Sequence, residues 1–272
     1  MEENEMSSVN KEGFLSEQVN QWIEKHRKDN YEWFKLCEDI NRFSHSTMLN
    51  IKIHNKYLPE IIGASLYIRA MSNFQGAVIM AERGMINEGK ALLRCLLECQ
   101  FAIVALDKDK KIADQFLLED QLQRRDYLKA YLRNKKAGIT HPMDAPSLEE
   151  INDLLQGINK QIKDKNIKKM TKRDLAKRAG LLTTYDSAYK VLSGTIHVNA
   201  RDLEQYLDLN DEGEIKSFKW GPDVKEIDTI LFTAAESMFF ILVGIAHIFS
   251  LSFGATWERL QEEYKSLAKN LG

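Results

Sequence analysis

Apolar residues return every three or four positions along almost the whole of this 272-residue chain, a spacing that lines one face of an α-helix rather than one face of a strand. Phe14, Val19, Trp22 and Ile23 begin the pattern, and Trp33, Phe34, Cys37 and Ile40 continue it. Two stretches interrupt it: "NKKAGITHPMDAPS" at 134–147, which holds two of the four prolines, and "NDEGEIKSFKWGPD" at 210–223. So few prolines, with only fourteen glycines, suit long helices better than a turn-rich β fold. The expectation is one all-α multi-helix bundle over 14–272 with long central helices, preceded by a flexible polar N-terminus at 1–13.

Local signals divide the bundle. Pro59 fits the first turn of a helix through "EIIGASLYIRAMSNFQGAVIMAERG", which Gly84 either ends or only weakens. Helices are expected over 86–107 and 109–134. Ser147 with Glu150 three residues on reads as a capping box. Shorter helices follow to about 210, and the alternation in "EIKSFKW" predicts a small β-hairpin near 212–220. The last helices should run over 224–253 and 255–270. "SMFFILVGIAHIFSLSFGA", 237–255, has nineteen residues with no charge beyond His247, enough to span a bilayer. Three serines interrupt it, Glu236 precedes it and no Lys/Arg cluster flanks it. It therefore reads as the core helix of the bundle rather than a membrane span. Three cysteines make no disulfide framework, and "MEENEMSSVNKEG" has no apolar core, so the expected location is cytoplasmic.

Two polar stripes stand out on otherwise apolar helices. Arg83, Asn87, Lys90, Arg94 and Glu98 fall within about 80° of one another if the helix continues through Gly84. Around them lie Leu92, Leu93, Leu96, Leu97, Phe101 and Val104. In "TTYDSAYKVLSGTIHVNAR", Asp186, Lys190, Ser193 and His197 lie within about 60°, with Tyr189 beside them. Charges on such helices are costly unless paired, so the two stripes are expected to face each other across a polar pocket, closed in part by the apolar C-terminal helix. Arg94 with Glu98 is then either an ion pair that fixes helix register or a phosphate-binding fork oriented by the carboxylate. Lys90, Arg83, Tyr189 and Asp186 would line the ligand side. Ser193 and His197 are either a hydrogen-bonded core pair or, with Glu98, groups that handle a proton. Cys95 and Cys99 read as small core residues. No metal and no cofactor is expected.

Charge is uneven. "KQIKDKNIKKMTKRDLAKR", 160–178, holds nine Lys/Arg against two Asp in a chain whose net charge is −2. It is either a solvated face or a nucleic-acid patch centred on Lys168, Lys169, Lys172 and Arg173. "QRRDYLKAYLRNKK", 123–136, could extend it if both segments share a face.

The pair of motifs "LLRCLLE" and "YKVLSGTIH" resembles an uncharacterised bacterial family of helical domains of unknown function, over roughly residues 50 to 250. Its matching positions are Arg94, Glu98, Tyr189, Ser193 and His197. That family is loosely similar to HEPN-type helical nucleases of bacterial toxin and antiviral systems. The resemblance implies a stress or defence protein that binds, or acts on, RNA or a nucleotide, hydrolysing it through His197 if it is an enzyme. The competing expectation is a non-catalytic interaction module, a homodimer or the companion of another protein, whose polar stripes only fix its packing.

Overall fold

The computed structural model describes residues 12–139, 146–196 and 200–270, apart from the side chains of Ile196, Arg201 and Asp202. The fold is all-α with one small hairpin. After a short 3₁₀ turn come α1 (Val19–Asp29), α2 (Tyr31–Asn50), α3 (Leu58–Glu82), α4 (Ile86–Lys108), α5 (Ile112–Lys136), α6 (Leu148–Asp164) and α7 (Lys172–Ala179). Then follow α8 (Leu182–Thr184), a π-turn (Tyr185–Tyr189), α9 (Lys190–Ile196), α10 (Ala200–Leu203), β1 (Leu207–Leu209), β2 (Ile215–Phe218), α11 (Ile227–Phe249) and α12 (Ala255–Ala268).

Helices α3, α4 and α11 form the core. Small residues set how closely they approach. A Cβ on Gly244 of α11 would lie 2.9 Å from Ile103 Cγ2 of α4, and one on Gly89 of α4 would lie 3.2 Å from Ile230 Cδ1 of α11. These two contacts, fourteen residues apart on each helix, make α4 and α11 parallel neighbours. Leu96, Phe101, Ile103 and Leu106 of α4 are fully buried, each contributing roughly 1.5–3 kcal/mol of transfer free energy. Against the other side of α11, α2 and α12 build an aromatic cluster in which Trp33 meets Phe232 edge-on and Phe232 stacks on Tyr264. Among the described residues one helix, α11, is long and apolar enough to cross a membrane, and 61% of its most apolar window is buried inside the protein. It stops at Phe249, where Ser250 turns left-handed (φ 52°), so 237–255 is not one continuous helix.

Several local signals are visible in the structure. Pro59 sits in the first turn of α3, and Ser147 and Glu150 form a reciprocal capping box on α6. Thr171 and Asp174 form a second box on α7. The antiparallel hairpin pairs Leu207 with Phe218 and Leu209 with Ile215. It begins earlier than 212 because "LDL" supplies its first strand and Asn210 to Glu214 make the turn.

Gly84 ends α3 outright. Its φ of +68° belongs to the left-handed region, which glycine enters without a Cβ clash. A Cβ there would meet Trp22 Cη2 at 2.5 Å and the backbone of Asp223 at 2.8 Å. The continuous stripe from Arg83 to Glu98 is therefore broken: Arg83 is the C-cap of α3, on a different helix from Arg94.

Candidate functional site

Beyond the break, the remaining stripe on α4 runs from Asn87 to Glu98 and divides into two halves. The N-terminal half is an anchor. Asn87 Nδ2 donates to the Tyr206 hydroxyl at 2.7 Å, and Lys90 Nζ pairs with Glu226 at 2.9 Å. These two bonds tether both ends of the excursion that carries the hairpin. Lys90, expected on the ligand side, instead spends its charge on a carboxylate of this tether.

The C-terminal half builds a polar cluster. Arg94 Nη1 pairs with Glu98 Oε1 at 2.9 Å, one helical turn away, and Arg94 Nε donates to Ser193 Oγ at 3.0 Å. The Tyr189 hydroxyl donates to Glu98 Oε1 at 2.9 Å, and the guanidinium carbon lies 5.0 Å from the centre of the Tyr189 ring. The second carboxylate oxygen of Glu98 takes Lys172 Nζ at 3.0 Å. Two cations and a phenol thus converge on one carboxylate, while the Ser193 hydroxyl holds the guanidinium from the other side. The side chains of Arg94 and Glu98 keep 24% and 20% of their exposure, so the cluster lies at the edge of the core with one side open to water.

The second stripe does not survive intact, and the π-turn explains why. Its i→i+5 bonding turns the chain less per residue than an α-helix does, so residues before it fall out of phase with those after it. Tyr189 and Ser193 face α4, with Tyr185 stacked on Tyr189 at 5.0 Å. Asp186 and Lys190 point outward instead and pair with each other at 2.7 Å, both about half exposed. Asp186 is therefore outside the cluster. Its carboxyl is held below the usual range chiefly by the bond from Lys190, with help from the charge of Arg173. His197 lies outside the described residues, and so does any contact it makes.

The expected lid is also corrected. Gly89, Ile103 and Asp107 face α11, with His247 Nδ1 2.8 Å from Asp107. At 100° per residue Arg94 and Glu98 point roughly 150° or more away from that side. The apolar helix α11 backs the cluster from behind α4; the elements that cover it are α7, the π-turn and α9. The gap expected between the stripes is bridged by the side chains themselves.

Lys172 is the site residue that sequence reasoning assigned elsewhere, to the nucleic-acid patch. The signal was present in "TKRD": a Thr followed three residues later by an Asp marks a helix start and puts Lys172 in the first turn of α7. Lys168, Lys169 and Arg173 are exposed beside it. The helix that carries the second basic segment, α5, meets α7 before that segment begins, where Arg178 Nη1 donates to Gln115 at 2.9 Å; within the segment, Arg124 and Arg125 pair with Asp120 and Asp126.

The ionisation states follow from burial and from the Glu98 carboxylate. Burial, then the bond to Glu98, pushes the Tyr189 phenol up to about 12, so it stays a proton donor at neutral pH. Burial likewise raises the Cys99 thiol to about 11 and the Cys37 thiol higher still. Both thiols are buried packing groups, as expected for Cys99. Among the described residues, no group of three or more His, Cys, Asp or Glu is placed to hold a metal ion.

No curated protein and no solved structure matches the chain. A family profile does, over residues 60–215, a span that covers more than half of the chain and holds Arg94, Glu98, Lys172, Tyr189 and Ser193. The chain belongs to the family described as "Family of unknown function (DUF5677)".

Proposed function

We propose that the cluster around Arg94 is the binding site for a phosphate-bearing ligand, RNA or a nucleotide, in a bacterial stress or antiviral-defence protein of the cytosol. The observation that carries this is the convergence of Arg94 and Lys172 on one carboxylate, next to a run of exposed cations. Two positive charges against one negative leave the cluster net positive, and the adjoining 160–178 segment adds nine Lys/Arg against two Asp. A phosphate oxygen would take the place that Glu98 now holds against both cations, with Tyr189 and Ser193 as hydroxyl partners. From the HEPN-type resemblance the proposal takes only the ligand class, since no Arg in the chain is followed by a His after four to six residues.

Titrating a labelled single-stranded RNA into the protein at several salt concentrations tests this. Binding should weaken linearly in log–log form, and replacing Lys168, Lys169, Lys172 and Arg173 by Ala should flatten the slope by roughly 3. Competition by a nucleoside monophosphate would identify a nucleotide site. Binding that ignores salt, or no binding to either probe, would remove the proposal.

A second reading is favoured by the closure of the network itself. Arg94, Glu98, Tyr189, Ser193 and Lys172 satisfy one another without a ligand. In that reading the cluster only fixes the docking of α7 and α9 on α4, and the chain is an interaction module.

A further inference from the structure

The hairpin presents an uncovered apolar face. Residues directly opposite each other in an antiparallel pair share a face, so the register, shifted by one residue between Asp208 and Leu209 so that Lys216 is left over, places Leu207 with Phe218 and Leu209 with Ile215 on one side. Trp220, two residues beyond Phe218, continues that side. The other face carries Asp208 and Ser217, which hydrogen-bond each other at 3.2 Å. Leu209, Ile215, Phe218 and Trp220 are 52, 58, 62 and 63% exposed. At areas of roughly 150–250 Å² for a large side chain they leave on the order of 500 Å² of apolar surface in one place. A patch of that size is at the upper end for a monomer, and a two-stranded hairpin alone is marginally stable in water.

We propose that a second copy of this chain covers this face, hairpin against hairpin about a two-fold axis. Three observations select that occupant. Residues 203–226 carry seven carboxylates against three lysines, a balance that repels nucleic acid and anionic membrane surfaces. The paired strand positions on the apolar face carry no charge, so the same face meets its own copy without like-charge conflict, as an isologous contact requires. Two such faces together bury on the order of 1,000 Å², which reaches the lower limit of a specific interface. Anchorage by Tyr206 to Asn87 and by Glu226 to Lys90 holds the hairpin in place on α4 before association. This proposal does not depend on the phosphate reading.

Sedimentation equilibrium of the full chain over about 1–100 µM is the test. The wild type should be a dimer. Phe218→Glu and Ile215→Glu should each raise the dimer dissociation constant by ~100-fold or more with unchanged circular dichroism, since both positions are exposed. Phe240→Glu, on the outward line of α11 at 41% exposure, should leave the dimer intact. A monomeric wild type, a Phe218→Glu protein that dimerises like the wild type, or a dimer lost only in Phe240→Glu would each overturn the assignment.

Discussion

Replacing Arg94 by Ala should cost about 2 kcal/mol of stability, and the figure follows from where the guanidinium sits. A fully exposed ion pair contributes 1 kcal/mol at most, whereas breaking a fully buried one costs roughly 3–5 kcal/mol. The Arg94–Glu98 pair, at 24% and 20% side-chain exposure, falls between these limits. Loss of Arg94 does not strand the carboxylate, because Lys172 at 3.0 Å and the Tyr189 hydroxyl at 2.9 Å remain on Glu98. It does leave Ser193 Oγ without its donor and uncovers one face of the Tyr189 ring. In a chain of this size about 2 kcal/mol is a fall of ~4–8 °C in melting temperature, which circular dichroism resolves. Leu96→Ala on the buried side of the same helix supplies the reference, at roughly 2–5 kcal/mol. The double variant with Glu98→Gln should recover about 1 kcal/mol of coupling energy, because the two side chains bond each other. An Arg94→Ala protein that is unfolded, or as damaged as the worst core truncations, would show a structural keystone and refute the site argument. So would an additive double variant, which would mean that the pair does not interact.

Two further outcomes are expected. The Tyr189 phenol is held above its ordinary value of 10, up to about 12. Its protonated form is therefore favoured in the fold: the contribution is complete below pH 10 and is lost as pH rises toward about 12. Denaturant unfolding of wild type against Tyr189→Phe should show an advantage of about 1 kcal/mol at neutral pH that shrinks only above pH 10; an advantage already lost at lower pH would contradict the bond to Glu98. Gly84→Ala should destabilise by roughly 3 kcal/mol, combining the strain of a left-handed φ with a Cβ driven into the backbone of Asp223; chemical denaturation finding less than about 1 kcal/mol would mean that the connection shifts freely.

Much of the fold was legible because its signals are local. Helical spacing, Pro59 in a first turn and the Ser147–Glu150 box each act within a few residues. The pairing of Arg94 and Glu98 with Tyr189 and Ser193 was legible for a different reason: charged or polar groups on two apolar helices have few places to go except toward each other. What failed was phase. Gly84 reversed the chain and removed Arg83 from the stripe, and the π-turn shifted Asp186 out of phase with Ser193. Neither event changes the residue spacing on which the helical projection relied. Lys90 and Lys172 exchanged roles because a long cation takes whichever carboxylate the fold brings within reach, and those carboxylates, Glu226 and Glu98, lie 136 and 74 positions away in sequence.

Parallel placement of α4 and α11 has a consequence for how the molecule assembles. Two neighbouring helices pointing the same way cannot be joined by a short turn, so everything from α5 through the hairpin is the return path between them. Tyr189 and Ser193 belong to that path and reach α4 across 91 and 99 residues, while α3 and α4 meet through a three-residue link. Closing the longer loop is the slower entropic step. The α3–α4 trunk should therefore form first, and Arg94 should acquire its partners later. In hydrogen exchange the amides of α7 and α9 should then open without the trunk, as a separately melting flap.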